Sequence, residues 1–189
     1  MSQDEYFSVN YGLTINVEPL NNSEALPTDD QFEKEIPAPF KVASECSSLE
    51  HIADNELSRL KNDEMRALVN YLNNQNDKLN LLLSYMLSQQ DNEKFRHTTQ
   101  YFGASNFCFS SPTELAVGTA ARVKLFLEHP PAAIYCYAEV KDSKRAGDGY
   151  EIVMSYLKLR EDDRDLLIRA ALFQQQKLLR QRAQQRSET

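Results

Sequence analysis

Apolar residues hold every odd position from Phe7 to Val17 (Phe7, Val9, Tyr11, Leu13, Ile15, Val17), and polar or small residues fill the even ones. Period two sustained this long predicts a strand with one buried face. Pro19 and the Asn21-Asn22-Ser23 cluster end it. From there to about Glu45 the chain is polar, acidic and carries Pro27, Pro37 and Pro39. That composition predicts an irregular surface connection, with a short extended piece around Ala38 to Val42.

The period then lengthens. Ser47 and Glu50 have the spacing of a capping box, and no proline or glycine follows until Gly103. Met65, Leu72, Leu79 and Met86 fall seven apart, and Leu68, Gln75, Leu82 and Gln89 form a companion row three residues on, so six of these eight positions are apolar. The opposite row, Asn70, Asp77, Ser84 and Asp91, is polar throughout. The contrast predicts a helical seam. Val69 and Leu83 flank it on one side and Tyr71 and Tyr85 on the other. An arc this wide suits several helices around one another better than two. The other use open to this face is packing on the preceding helix, where Ile52, Leu57 and Leu60 follow a different stripe.

Beyond Phe95 period two returns. Phe107 and Phe109 follow a turn-like Gly103-Ala104-Ser105-Asn106; Val123, Leu125 and Leu127 form a second row, and Ile134, Cys136, Ala138 and Val140 a third. Gly147-Asp148-Gly149 supplies turn chemistry before the β-rich run Glu151 to Leu159. This spacing predicts an antiparallel meander closing into a small barrel or sandwich. The end reads as a helix. Glu161, Asp162, Asp163 and Asp165 lie near its start and Lys177, Arg180, Arg182 and Arg186 toward its finish, the order its dipole favours. The fold class is therefore α+β.

Charge divides the chain. Residues 1–64 hold 14 acidic and 4 basic side chains, whereas residues 65–189 hold 14 and 17. An acidic first third argues against a nucleic-acid-binding protein. No apolar run approaches the ~20 residues of a membrane span, the first residues are acidic where a secretory signal is basic, and the three cysteines form no framework. A cytoplasmic location is expected. The three histidines are far apart, and no Walker loop, Gly-x-Gly-x-x-Gly turn or Gly-x-Ser-x-Gly elbow occurs. No enzyme activity, metal or cofactor is expected.

The second part resembles the PilZ domain, a small bacterial β-barrel with a trailing helix that commonly receives cyclic di-GMP. The resemblance rests on Phe102 to Phe109, on Val117-Gly118-Thr119 leading into Val123-Lys124-Leu125, on Ile152 to Leu157, and on Glu161 to Arg169. The upstream heptads, preceded by one isolated strand, are similar to the atypical tetrameric PilZ subgroup, in which helices inserted after the first barrel strand bundle four chains. That resemblance implies a barrel begun by residues 1–20 and an irregular acidic loop at 21–46. A helical oligomerisation insertion would follow at 47–95, then the rest of the barrel with the C-terminal helix at 96–182, and a frayed tail at 183–189. It also implies a homotetramer, with Met65, Leu68, Leu72, Gln75, Leu79, Leu82 and Met86 as its seam, and a place among other signalling proteins.

The ligand motifs depart from that family. Its receptors carry Arg-x-x-x-Arg before the first strand, and here no arginine precedes Arg59; Arg160 and Arg164 have the spacing at the other end of the barrel. The second element, Asp/Asn-x-Ser-x-x-Gly, maps onto Tyr101, Gly103 and Asn106, and all three positions differ. Paired guanidiniums supply bidentate, charge-assisted contacts to phosphate that other side chains do not reproduce. The expectation is a signalling adaptor in cyclic di-GMP pathways with weak or no direct binding of the nucleotide. A receptor using non-standard residues and a structural coiled-coil scaffold are the alternatives.

Overall fold

The alternating segments become one sheet rolled on itself. The computed structural model describes residues 8–21, 23–57 and 65–187. The elements are β1 (Ser8–Val9), β2 (Thr14–Pro19), α1 (Asp29–Glu35), α2 (Ala38–Leu57) and α3 (Arg66–Ser88). After a 3-10 turn at Glu93–Phe95 come β3 (Arg96–Gly103), β4 (Asn106–Ser111), β5 (Ala120–Glu128), β6 (Pro131–Ala146), β7 (Gly149–Lys158) and α4 (Glu161–Ser187). The strand order β3-β2-β5-β6-β7-β4 returns to β3, so six antiparallel strands form a closed barrel without long open edges. The N-terminal strand is thus an integral stave between β3 and β5.

The run read as a single strand from Phe7 to Val17 is broken, and Phe7 lies outside the described residues. β1 pairs with the far end of β3 (Val9 with Phe102) and β2 with its beginning (Thr14 with Thr98). At the break the Leu13 N–H donates to Thr99 Oγ1 at 2.8 Å, and that hydroxyl donates to the Tyr11 carbonyl at 2.7 Å. One buried threonine therefore satisfies two groups that leave the ladder, as buried backbone requires. Asn16, on the polar row, is buried as well: its Nδ2 donates to Asp91 Oδ1 at 2.7 Å and its Oδ1 accepts from the Asn92 N–H at 2.8 Å.

Inside the barrel Ile15, Phe102, Phe107, Phe109, Val123, Leu125, Ile134 and Met154 are fully buried, and Leu166, Leu167 and Ala170 of α4 pack against them. Each large side chain so buried contributes about 1.5–3 kcal/mol. Phe173, on the same helix, is exposed and lies beside His129. α4 stays helical to Ser187, past the expected fraying point at 183, because Gln, Arg and Ala are good helix formers. No helix among the described residues is long and apolar enough to cross a membrane.

Residues 21–46 correct the expectation of an irregular loop. Thr28 caps α1 in a capping box with Gln31, and Pro37 separates α1 from α2. Phe32, Ile36, Phe40 and Ala43 recur at spacings of four, four and three and are all buried, a helical stripe diluted by acidic neighbours. Ser47 therefore sits inside α2 instead of capping it. The stripe packs with Leu83 and Leu87 of α3 on Ala133, Tyr135 and Tyr137, the outward residues of β6. Phe40 meets Phe126 edge to face at 6.0 Å, and Tyr137 donates to Glu35 at the end of α1. β6 is consequently buried on both faces, which its alternation does not announce. Leu60 lies outside the described residues.

Candidate functional site

Two places carry the expected functional residues. The first is the β3–β4 hairpin with Tyr101, Gly103 and Asn106. Tyr101 pairs with Cys108 just after a bulge at Gln100, Gly103 ends β3, and Asn106 opens β4 opposite Ser155. The three positions do share one corner of the barrel. Tyr101 and Asn106 are half-buried and Gly103 is buried.

Two carboxylates, Glu151 and Asp142, lie near Tyr101, and Asp142 is paired with Lys144. Burial raises the Tyr101 phenol, and Cys108, Glu151 and Asp142 raise it further. The Cys108 thiol is pushed up to about 11 by burial, then by Glu151 and Asp142. Burial that disfavours charge on these groups, with Glu151 beside them, also disfavours a phosphate.

The nearby guanidiniums face inward. Arg160 donates twice to Asp163, Nε to Oδ2 and Nη2 to Oδ1, both at 2.9 Å. Asp163 is fully buried, and burial raises its carboxyl against the pull of Arg160. Arg164 Nη1 donates to the Ala104 carbonyl at 2.7 Å, pinning the hairpin turn to α4. The turn is fixed from β7 as well, where Tyr156 donates its hydroxyl to the Gly103 carbonyl at 3.3 Å and its N–H to the Ser105 carbonyl at 3.2 Å. Lys158, in the adjoining cavity of about 360 Å³, is paired with Asp29. An entering phosphate would have to displace contacts already made. Nothing in the sequence signals that Arg164 serves the turn, because its partner is a backbone carbonyl 60 residues away.

The second place is α3. One edge of its apolar arc is taken by its own chain: Leu83 and Leu87 are buried, and Asn80 Nδ2 donates to Glu50 Oε1 of α2 at 2.8 Å. The rest is open. Leu68 is 50% exposed, Leu72 41%, Leu79 57% and Leu82 65%, with Met65, Tyr71 and Tyr85 exposed beside them. Gln75 and Met86 are half-buried, Met86 against the outer layer. The Leu83 side therefore docks on the chain itself, while the heptad rows are left uncovered by the described residues. The helical stripe Phe32, Ile36, Phe40 and Ala43, which holds α2 beneath α3, was legible only as spacing within an acidic segment.

Among the described residues no group of three or more His, Cys, Asp or Glu is arranged to hold a metal ion. No protein-family model matches the chain, and no curated protein matches it either. Solved structures do. One is a pathogenic protein from Xanthomonas campestris, described as a tetrameric PilZ domain self-assembled through a helical bundle. It is 17% identical, with a TM-score of 0.56 over 93% of this chain and 91% of that one. Another is the inhibitor of motility from Bacillus subtilis, 9% identical with a TM-score of 0.49, matched over 94% of this chain and 53% of that one. The first likeness, across nearly the whole of both chains, shows that the fold is PilZ-like.

Proposed function

From the PilZ-like fold we propose a non-enzymatic signalling adaptor that self-assembles through α3. It acts in cyclic di-GMP pathways through protein partners, with weak or absent binding of the nucleotide itself. The uncovered apolar row on α3 is the observation that carries this reading. Four leucines left this exposed in one chain are unfavourable in water and become favourable when copies cover one another. The Xanthomonas protein, described as tetrameric through a helical bundle, supports four copies and Met65, Leu68, Leu72, Gln75, Leu79, Leu82 and Met86 as the seam. The inward-turned Arg160 and Arg164 and the carboxylates near Tyr101 support the loss of receptor chemistry.

Light scattering on the full chain, paired with calorimetric titration of cyclic di-GMP, tests both halves. The expected result is a mass near four chains and no saturable heat at micromolar nucleotide. A monomeric mass overturns the assembly. Saturable low-micromolar binding abolished by Tyr101→Ala or Asn106→Ala makes the chain a receptor with non-standard residues, a reading favoured by the partial exposure of both side chains.

A further inference from the structure

The heptad rows are not the only apolar surface that the helical layer leaves open. Leu81 on α3 is 72% exposed, Tyr85 one turn on is 68% exposed, and Leu49 on α2 is 67% exposed. These three are the most exposed large apolar side chains among the described residues, and none belongs to the rows through Leu72, Gln75, Leu79 and Leu82. At about 100° per residue, Leu83 and Leu87 stand roughly a quarter-turn to one side of those rows, and Leu81 and Tyr85 roughly a third of a turn to the other. The first side carries α2. The second is bare.

α2 has a bare side too. Phe40, Ala43 and Ser47 are buried beneath it, while Val42 and Leu49, seven residues apart, share the far side and are exposed. The two helices run antiparallel: Ala43 shares a cluster with Leu87, and seven residues on, Glu50 Oε1 accepts from Asn80 Nδ2. One residue from that bond, toward the end of α3, lie Leu49 on one helix and Leu81 on the other, at the same height. Tyr85 stands between the heights of Leu49 and Val42.

We propose that these two bare stripes cover each other between neighbouring copies, Leu49 and Val42 of one chain lying on Leu81 and Tyr85 of the next. The proposal rests on assembly through α3. In a ring of four parallel helices with their seams to the axis, each helix has its neighbours about 45° to either side of that axis, about 8–10 Å away. α2, a quarter-turn from the seam, then lies in the outer groove between its own α3 and the next one. The next α3 meets it roughly a third of a turn from its own seam, which is where Leu81 and Tyr85 stand. Rotation about the ring axis preserves height, so Leu49 and Leu81 remain level. In a two-chain pair the partner helix lies directly across the seam, and α2 stands clear of it. The contact joins unlike faces, so it closes only where the copies form a ring.

Cross-linking between differently tagged chains tests the contact. One chain carries Leu49→Cys and the other Leu81→Cys, both with Cys46→Ser to remove the half-buried thiol on α2; Cys108 and Cys136 are buried. Co-expressed and treated with a short bis-maleimide, the two should give a mixed-tag dimer, and neither alone should link. Leu72→Cys in the same Cys46→Ser background reports the seam. A seam link without a mixed-tag link overturns this contact and leaves assembly through α3 standing. No seam link, with a single-chain mass by light scattering, overturns both. Leu49→Ala combined with Leu81→Ala measures the strength of the contact. Both positions are exposed in the single chain, so the circular dichroism spectrum should not change. The concentration at which the assembly dissociates should rise at least about tenfold. An unchanged dissociation concentration overturns the proposal.

Discussion

The β3–β4 corner and the outer edge of α3 are opposites in one respect. At the corner Arg160 faces Asp163, Arg164 faces the Ala104 carbonyl and Lys158 faces Asp29, so the cations that could greet an anion are matched within the chain. Along α3 Leu68, Leu72, Leu79 and Leu82 are left exposed among the described residues. A new partner at the corner has to break charge-assisted contacts of about 1.5–3 kcal/mol each before it gains any. A partner on α3 breaks nothing and gains up to about 1.5–3 kcal/mol for each leucine it fully covers. Family likeness draws attention to the corner. Unsatisfied surface identifies α3 as the place where binding energy is still available.

The largest effect should come from charging that surface. Leu72→Asp with Leu79→Asp would place carboxylates where apolar side chains meet, and an unpaired buried charge is prohibitive. Both positions are exposed in the single chain, so the barrel should remain folded. Light scattering is expected to show the assembly reduced to monomers with an unchanged circular dichroism spectrum. An unchanged mass would move the seam elsewhere and undo the contrast.

Next in size is Phe40→Ala. Phe40 is fully buried between α2 and Phe126, and it belongs to the layer that seats α3 on β6. Its loss should lower stability by about 3–5 kcal/mol, the range for deleting a buried phenylalanine. Urea unfolding measures this. A value below about 1 kcal/mol would mean that the helical layer is held mainly by other contacts.

The barrel was largely legible because alternation is a direct image of the pleat: Ile15, Val123, Leu125, Ile134 and Cys136 all face inward as period two requires. The discontinuity of the barrel was reached through an orphaned strand and a family resemblance, since no local pattern states which strand pairs with which. Residues 21–46 hold helix where an irregular loop is expected, because acidic neighbours and Pro27, Pro37 and Pro39 mask a four-residue stripe. The sequence presents Phe32, Ile36 and Phe40 in a surface-like composition, although all three are buried. Tyr135 and Tyr137 alternate as an outward row, and only the tertiary layer of helices buries them. At the corner the changed motif was readable at Tyr101, Gly103 and Asn106. The diversion of Arg164 to a backbone carbonyl was not, because such a contact depends on where a remote turn arrives.

A smaller effect sharpens the contrast at the corner itself. Arg164→Gln should destabilise the protein by about 1–2 kcal/mol, the scale of one part-exposed charge-assisted hydrogen bond, through loss of the Ala104 contact. Parent and variant alike are expected to show no response to cyclic di-GMP. Urea midpoints with and without nucleotide check both statements. A variant as stable as the parent that gains or loses nucleotide binding would make Arg164 a ligand residue and the corner a working site.

The smallest expected effect separates the two regions by pH. His97, on β3, is half-buried and lies tilted against Phe109 of β4 at 4.7 Å between centroids. Burial holds its imidazole below the ordinary value of 6.5, outweighing the opposing hydrogen bond with the Ser110 backbone. The unfolded chain therefore takes up a proton at this residue before the folded one does. Stability linked to His97 is present above about pH 6.5 and is lost as pH falls from there through its depressed folded value. Urea midpoints measured at about pH 7.5 and about pH 5.5 should differ less in His97→Gln than in the parent. The α3 segment Arg66–Ser88 contains no histidine, so the assembled mass should stay constant over the same interval. A parallel loss of mass and stability would tie the seam to the hairpin side of the barrel. An equal midpoint shift in parent and variant would assign the pH response to other groups.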